Sequence, residues 1–222
     1  MKQTLRVLVV GATGGSGLAT VKELLAQGHQ VTAFSRKATT IPISSEQLEK
    51  VDGDAMNPED VERVVKGKDA VIVTLGINEN PIKVRLFGSS GTPMKVRSQG
   101  TSYFIQAMKR HGVKRLIVQT TYGIGETKKL LPWKDKLLIG LLLAPQFQDS
   151  EVQEGFVRAS GLDWVLAQPV HLNDNEEELE RPFISIDGSI REMSVARKQV
   201  AQFLVQATVK DDYIGRSVSI SG

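Results

Sequence analysis

The chain has 222 residues, no cysteine, a formal net charge of +3, and 41% hydrophobic and 24% charged residues. That length suits one α/β domain spanning 1–222 with a sizeable core, and the missing cysteines exclude disulfides, thiolate metal ligation and a cysteine nucleophile. The positive balance is small and spread along the chain, without a basic cluster interleaved with aromatics, so it reads as a solvated mixed surface and no nucleic-acid partner is expected.

Leu5–Val10 is apolar and valine-rich, as a buried strand is. The seven residues GATGGSG follow, four of them glycine. Ser16–Gln27 carries Leu18, Val21, Leu24 and Leu25 at helical spacing, and Gly28 closes that helix. Val31–Ser35 reads as a second strand and Val51–Gly53 as a short third. Asn57, Pro58, Glu59 and Asp60 form a helix start, with a cap, a first-turn proline and acids at the positive end. Ala70–Leu75 predicts a fourth strand, 76–93 a loop, Met94–Arg110 a long helix, and VKRLIVQTT a fifth strand ending near Thr120.

The stretch LLIGLLLAP, Leu137–Pro145, is roughly half a membrane span. It reads as a core helix, a lid, a membrane-surface contact or a subunit interface. A helix over Asp149–Ala159, ended by Ser160 and Gly161, leads to a sixth strand at Asp163–Gln168. The acidic run Asp174–Glu180 reads as a solvated loop or a gate. A short strand at Phe183–Ile186, a helix opened by Ser194 and a last strand near Ser217–Ser221 follow. The apolar run behind the early cations is too short for the core of a secretion signal. A cytoplasmic protein with no transmembrane segment, a monomer or weak homo-oligomer, is expected. Alternating strands and helices predict an α/β, doubly wound, mainly parallel sheet with helices on both faces, with 171–222 forming a small C-terminal substrate lobe.

The glycines Gly11, Gly14 and Gly17 have the spacing G-x-x-G-x-x-G. A sharp strand-to-helix turn favours residues without a Cβ, and a diphosphate can then approach the free N–H groups at the helix start. Strand, glycine turn, helix and second strand are the context a dinucleotide site requires. No Lys-Ser/Thr follows the glycines, which disfavours a nucleoside-triphosphate loop. An NAD site usually has a carboxylate at the end of the second strand, roughly 20 residues on. Here that place holds Ser35, Arg36 and Lys37, which suit a 2′-phosphate, so the expected cofactor is NADP(H).

GATGGSG, VDGDAMNPEDV, DAVIVTLG, GTSYFIQAMKRHGVKRLIVQTT and ASGLDWVLAQPVHLND together resemble the atypical short-chain dehydrogenase/reductase group, NAD(P)H-binding and NmrA-like, with its Rossmann fold. Within that group PVHLND and TTYG are most similar to the biliverdin-IXβ reductase/flavin reductase type. The resemblance implies that Gly11, Thr13, Gly14, Gly15, Ser16 and Gly17 hold the pyrophosphate and that Ser35 and Arg36 take the 2′-phosphate. It implies that Asp54 and Ala55 lie along the adenine, with Leu75 and Gly76 by the adenosine. Thr120 and Thr121 would face the nicotinamide ribose, and Pro169, Val170 and His171 would border nicotinamide and substrate.

Many relatives use Tyr-x-x-x-Lys as a proton relay. Here Tyr122 is followed four residues later by Glu126, and QDSEVQEGFVRA before the sixth strand has no lysine. That departure fits hydride transfer to a flavin, bilin or quinone-like acceptor, where solvent or a weak donor supplies the proton and the protein holds the two rings together. The candidate catalytic residues are His171, Thr121 and Tyr122. His171 reads as a substrate contact or proton donor, or as a structural cap. Thr121 reads as a carboxamide or substrate ligand, or as a strand-end hydroxyl. Tyr122 reads as a donor, an aromatic wall or a packed edge residue. Trp133 is either a pocket wall or a structural tryptophan, and His29 and His111 are helix-end caps. No histidine–carboxylate spacing suits a metal, and none is expected. A reading from another class is a non-catalytic NADP(H)-binding redox sensor, a regulatory or assembly factor.

Overall fold

The computed structural model describes residues 4–77, 88–132, 136, 143–175 and 181–222. Trp133, most of LLIGLLLAP and the end of the acidic run lie outside them.

The first half runs β1 (Arg6–Val10), α1 (Gly15–Ala26), β2 (Gln30–Ser35), β3 (Leu48–Asp52), α2 (Pro58–Val65) and β4 (Ala70–Val73), with an α-helix in every gap but that between β2 and β3. Then come α3 (Val96–His111), β5 (Arg115–Gln119), α4 (Ala144–Arg158), β6 (Asp163–Pro169), β7 (His171–Asn173), β8 (Phe183–Ser185), β9 (Ser194–Ala196), α5 (Arg197–Val209) and β10 (Arg216–Ser221). Local chemistry explains several ends. Asn57 accepts from the Glu59 N–H at the start of α2, and Gly112 closes α3 at φ 69°, a backbone region open to glycine.

Eight strands form one sheet in the order β3-β2-β1-β4-β5-β6-β10-β8. Its first six members have the doubly wound 3-2-1-4-5-6 order. All pairs are parallel except β8 against β10, so the expected doubly wound, mainly parallel α/β sheet is what the chain forms. The strand pleat sends Val7, Val9, Ala33 and Ile72 to one face, under α1 and α5. It sends Leu8, Val10, Phe34, Val71 and Val73 to the other, under α2, α3 and α4. Strands buried on both faces read as unbroken apolar runs, which is why they were visible in the sequence.

The C-terminal part departs from local expectation. β7 and β9 form a separate parallel two-stranded sheet, Leu172 opposite Val195. The helix expected to open at Ser194 starts at Arg197, because residues 194–196 are drawn into that pairing. α5 packs beside α1, and β10 joins the main sheet next to β6. α4 starts at Ala144, earlier than its polar sequence suggested. Its buried positions are Asp149, Ser150, Gln153, Glu154 and Val157, so there is little apolar stripe to reveal it. No helix among the described residues is long and apolar enough to cross a membrane.

Candidate active site

A cleft of about 460 Å³ opens beyond the carboxyl ends of β1, β2, β4 and β5, within the usual size of small-molecule sites. Its floor is the glycine turn. Gly11 has φ +81°, and a Cβ there would fall 2.9 Å from the Thr74 carbonyl oxygen. A Cβ on Gly17 would fall 2.2 Å from the Gly11 carbonyl oxygen. α1 is thus pressed against the end of β1 with nothing between them. No side chain caps α1 and no acid sits in its first turn, so its amino end carries free N–H groups and uncancelled positive potential. Gly14 and Gly15 leave that end bare toward the cleft, which fits a diphosphate.

Most of the residues singled out in the sequence line this cleft: Gly11, Thr13, Gly14, Gly15, Ser16, Ser35, Arg36, Asp54, Ala55, Leu75, Gly76, Thr120 and Thr121. Gly17 lies buried beneath it. The Arg36 guanidinium donates to the carbonyl of Gly91 and, at 3.1 Å, to the Thr92 hydroxyl. This ties the end of β2 to the chain ahead of α3. Asp54 accepts from the Met56 N–H at 2.9 Å.

Pro169 and Val170 are buried behind the cleft. The Pro169 carbonyl accepts from the Tyr122 N–H, and the Val170 N–H donates to Ile220. His171 is exposed and absent from the lining, whereas its neighbour Leu172 lines the cleft. Both sit on β7, where alternate side chains point to opposite sides. Tyr122 is 4% exposed. Its hydroxyl donates to the Gly188 carbonyl at 3.0 Å, and burial raises its pKa above the ordinary tyrosine value. Tyr122→Phe is expected to lose about 0.5–1.5 kcal/mol of stability and to oxidise NADPH at the wild-type rate. A collapse of kcat with an unchanged Tm would return the hydroxyl to the chemistry.

The cleft contains residues the sequence did not suggest. Gln119, at the end of β5, donates through Nε2 to the Ser16 hydroxyl at 3.2 Å, and its Oε1 is buried without a partner among the described residues. Arg197, first in α5, reaches over the turn. A Cβ on Gly15 would lie 2.7 Å from its Nε, and its Nη1 pairs with Asp174 at 2.6 Å. Arg97, in the first turn of α3, lines the opposite wall with Thr92 and Pro93. The strand-end rule covers Gln119. Nothing local marks Arg97 or Arg197, because chain segments distant in sequence bring them here.

Behind Thr120 lies a buried carboxylate. Glu154 of α4 is 3% exposed. Its Oε1 accepts from the Thr120 hydroxyl and the Gln168 amide, both at 2.8 Å, and its Oε2 pairs with Arg158 at 3.2 Å. Thr120 gives its one proton to Glu154, so toward the cleft it can only accept. No lysine lines the cleft among the described residues, nor do they hold a group of three acids or histidines placed to bind a metal.

Residues 11–211 match the NAD(P)H-binding family. The chain belongs to that family. It is an NAD(P)H-binding oxidoreductase. An uncharacterized chloroplastic protein of Arabidopsis thaliana is 27% identical over 225 residues, covering 98% of this chain and 77% of that protein. Among solved structures, a short-chain dehydrogenase/reductase of Veillonella parvula in complex with NADP superposes with a TM-score of 0.79 at 17% identity, covering 99% of this chain and 95% of that one. ChuY, an anaerobilin reductase of Escherichia coli O157:H7, gives 0.77 at 20% identity, covering 97% and 96%. At such identities these structures speak for the fold.

Proposed function

We propose that the protein is an NADPH-dependent reductase that delivers hydride to a flat conjugated acceptor of the flavin, bilin or quinone class. The observation that carries this reading is a coenzyme cradle without a Tyr/Lys proton relay: the Tyr122 hydroxyl is committed to Gly188, and no lysine lines the cleft among the described residues. An electron-poor conjugated ring accepts hydride without a strong protein acid. That ChuY is an anaerobilin reductase agrees with that class.

The dihydronicotinamide, when bound, supplies the hydride. The chain's residues do the holding. The N–H groups at the start of α1 and the Arg197 guanidinium take the diphosphate. Ser35 and Arg36 take the 2′-phosphate. A guanidinium has five N–H donors, so the bonds to Gly91 and Thr92 leave others for a phosphate. Asp54, Ala55, Leu75 and Gly76 flank the adenosine. Thr120, held as an acceptor by Glu154, faces ribose hydroxyls or the carboxamide, and Gln119 Oε1 offers a second acceptor. Thr121 and Leu172 border the acceptor, with Pro169 and Val170 backing them. In this arrangement the reduced acceptor takes its proton from solvent.

The test is to follow NADPH oxidation with FMN, riboflavin, biliverdin and small quinones. Turnover with at least one is expected. Tight coenzyme binding with no turnover across the panel would replace the enzyme by a redox sensor. Arg36→Ala should lose about 1.5–3 kcal/mol of NADPH binding, the worth of a hydrogen bond to a charged group, with little change for NADH. Equal losses for both coenzymes would remove Arg36 from the 2′-phosphate.

A further inference from the structure

Arg97 is a half-buried cation whose guanidinium is short of acceptors among the described residues. Its Nη1 has no exposed surface and no hydrogen-bond partner among the described residues. Asp149 lies nearby, but its oxygens are taken. They accept from the Arg97 N–H at 3.0 Å, from the Ser98 N–H at 3.4 Å and from the Ser98 hydroxyl. Asp149 therefore attracts the guanidinium only through space, and burial outweighs that attraction, lowering the arginine pKa from its ordinary value. A guanidinium stays charged in proteins, and an uncompensated buried charge is strongly unfavourable.

Arg97 lines the cleft. A Cβ on Gly76 would lie 3.4 Å from Arg97 Nη2, so the glycine leaves the guanidinium approachable across the end of β4. Among the described residues, the lining contains Arg36, Arg97 and Arg197 against a single carboxylate, Asp54. On the proposed reading, which this inference presupposes, the coenzyme's 2′-phosphate and diphosphate answer Arg36 and Arg197. Those two arginines also have protein partners. Arg97 has neither.

We propose that Arg97 is the receptor for an anionic group, a carboxylate or phosphate, carried by the acceptor. The enzyme then selects acidic acceptors over neutral ones with the same ring.

The test uses protein saturated with NADP+ and two acceptor pairs that differ only in charge: FMN with riboflavin, and biliverdin with its dimethyl ester. Binding is read by fluorescence quenching or calorimetry. The wild type should bind the charged member of at least one pair about tenfold or more tightly, as a charge-assisted bond implies. Arg97→Met should abolish that preference by weakening only the charged member, Arg97→Lys should restore part of it, and neither should alter NADP+ affinity, which also reports folding. Equal binding of charged and neutral members by the wild type, or a preference that survives Arg97→Met, overturns the inference alone. A tenfold loss of NADP+ affinity in both variants assigns the arginine to the coenzyme and also overturns it. NADP+ binding with no acceptor bound at all overturns this inference together with the acceptor class beneath it.

Discussion

Gly17→Ala should yield a protein with a lower Tm and little coenzyme affinity, whereas Gly15→Ala should fold normally and lose affinity alone. The added methyl at Gly17 would sit 2.2 Å from the Gly11 carbonyl oxygen and 2.9 Å from Ala12 Cα. Both obstacles are backbone, so no rotamer change relieves them. α1 must move off the end of β1, and overpacking of this kind costs about 1–3 kcal/mol or more. For a chain of this size that is a fall of roughly 5–10 °C in Tm. The same movement swings the N–H groups of α1 away from the diphosphate, at a cost of about 1.5–3 kcal/mol for each charge-assisted bond lost. At Gly15 the obstacle is the Arg197 side chain, which can turn aside. Calorimetric melting and NADP+ titration of both variants check the pair. Normal affinity in Gly17→Ala would mean that the turn serves folding only.

Glu154→Ala should be the most damaging single change away from the glycine turn. It removes the acceptor for Thr120 and Gln168 and the ion-pair partner of Arg158. Gln168 is fully buried, so its amide is left without an acceptor. Breaking a buried charged network in this way costs about 3–5 kcal/mol, which corresponds to roughly 10 °C in Tm. Glu154→Gln keeps one oxygen for Thr120 and Gln168 and loses only the pairing with Arg158, so it should be much milder. Coenzyme affinity separates position from stability. With its proton freed, Thr120 in the alanine variant no longer presents a fixed acceptor, so NADP+ should bind more weakly there than to the glutamine variant. Equal affinities in the two, measured below both melting temperatures, would confine Glu154 to a structural part.

How far the sequence could be read depended on whether a contact was local. The unbroken apolar run Val7–Val10 belongs to a single strand, and the glycine turn follows directly behind it. Both were visible, and with them the sheet, its helices and the coenzyme family. The β7–β9 pairing joins residues far apart in the chain, and three-residue strands carry too little pattern to announce themselves. One step of strand parity separates Leu172, in the cleft, from His171, outside it. A histidine beyond the sixth strand was the natural candidate, but sequence alone does not give the phase of so short a strand. Glu154 was hidden differently. The buried face of α4 is polar, so burial there leaves no hydrophobic signature, and a buried carboxylate looks like a solvated one.

The capping of α3 by Asp149 has a consequence for docking polarity. Two helices, α1 and α3, begin on facing walls of the cleft, and each could in principle attract a phosphate. The α3 terminus is already stoppered by a carboxylate on the Arg97 and Ser98 amides, whereas the α1 terminus has none. A ligand with a charged middle and two unlike ends therefore finds one seat for that middle, and the unequal walls on either side decide which end lies toward β2 and which toward β5.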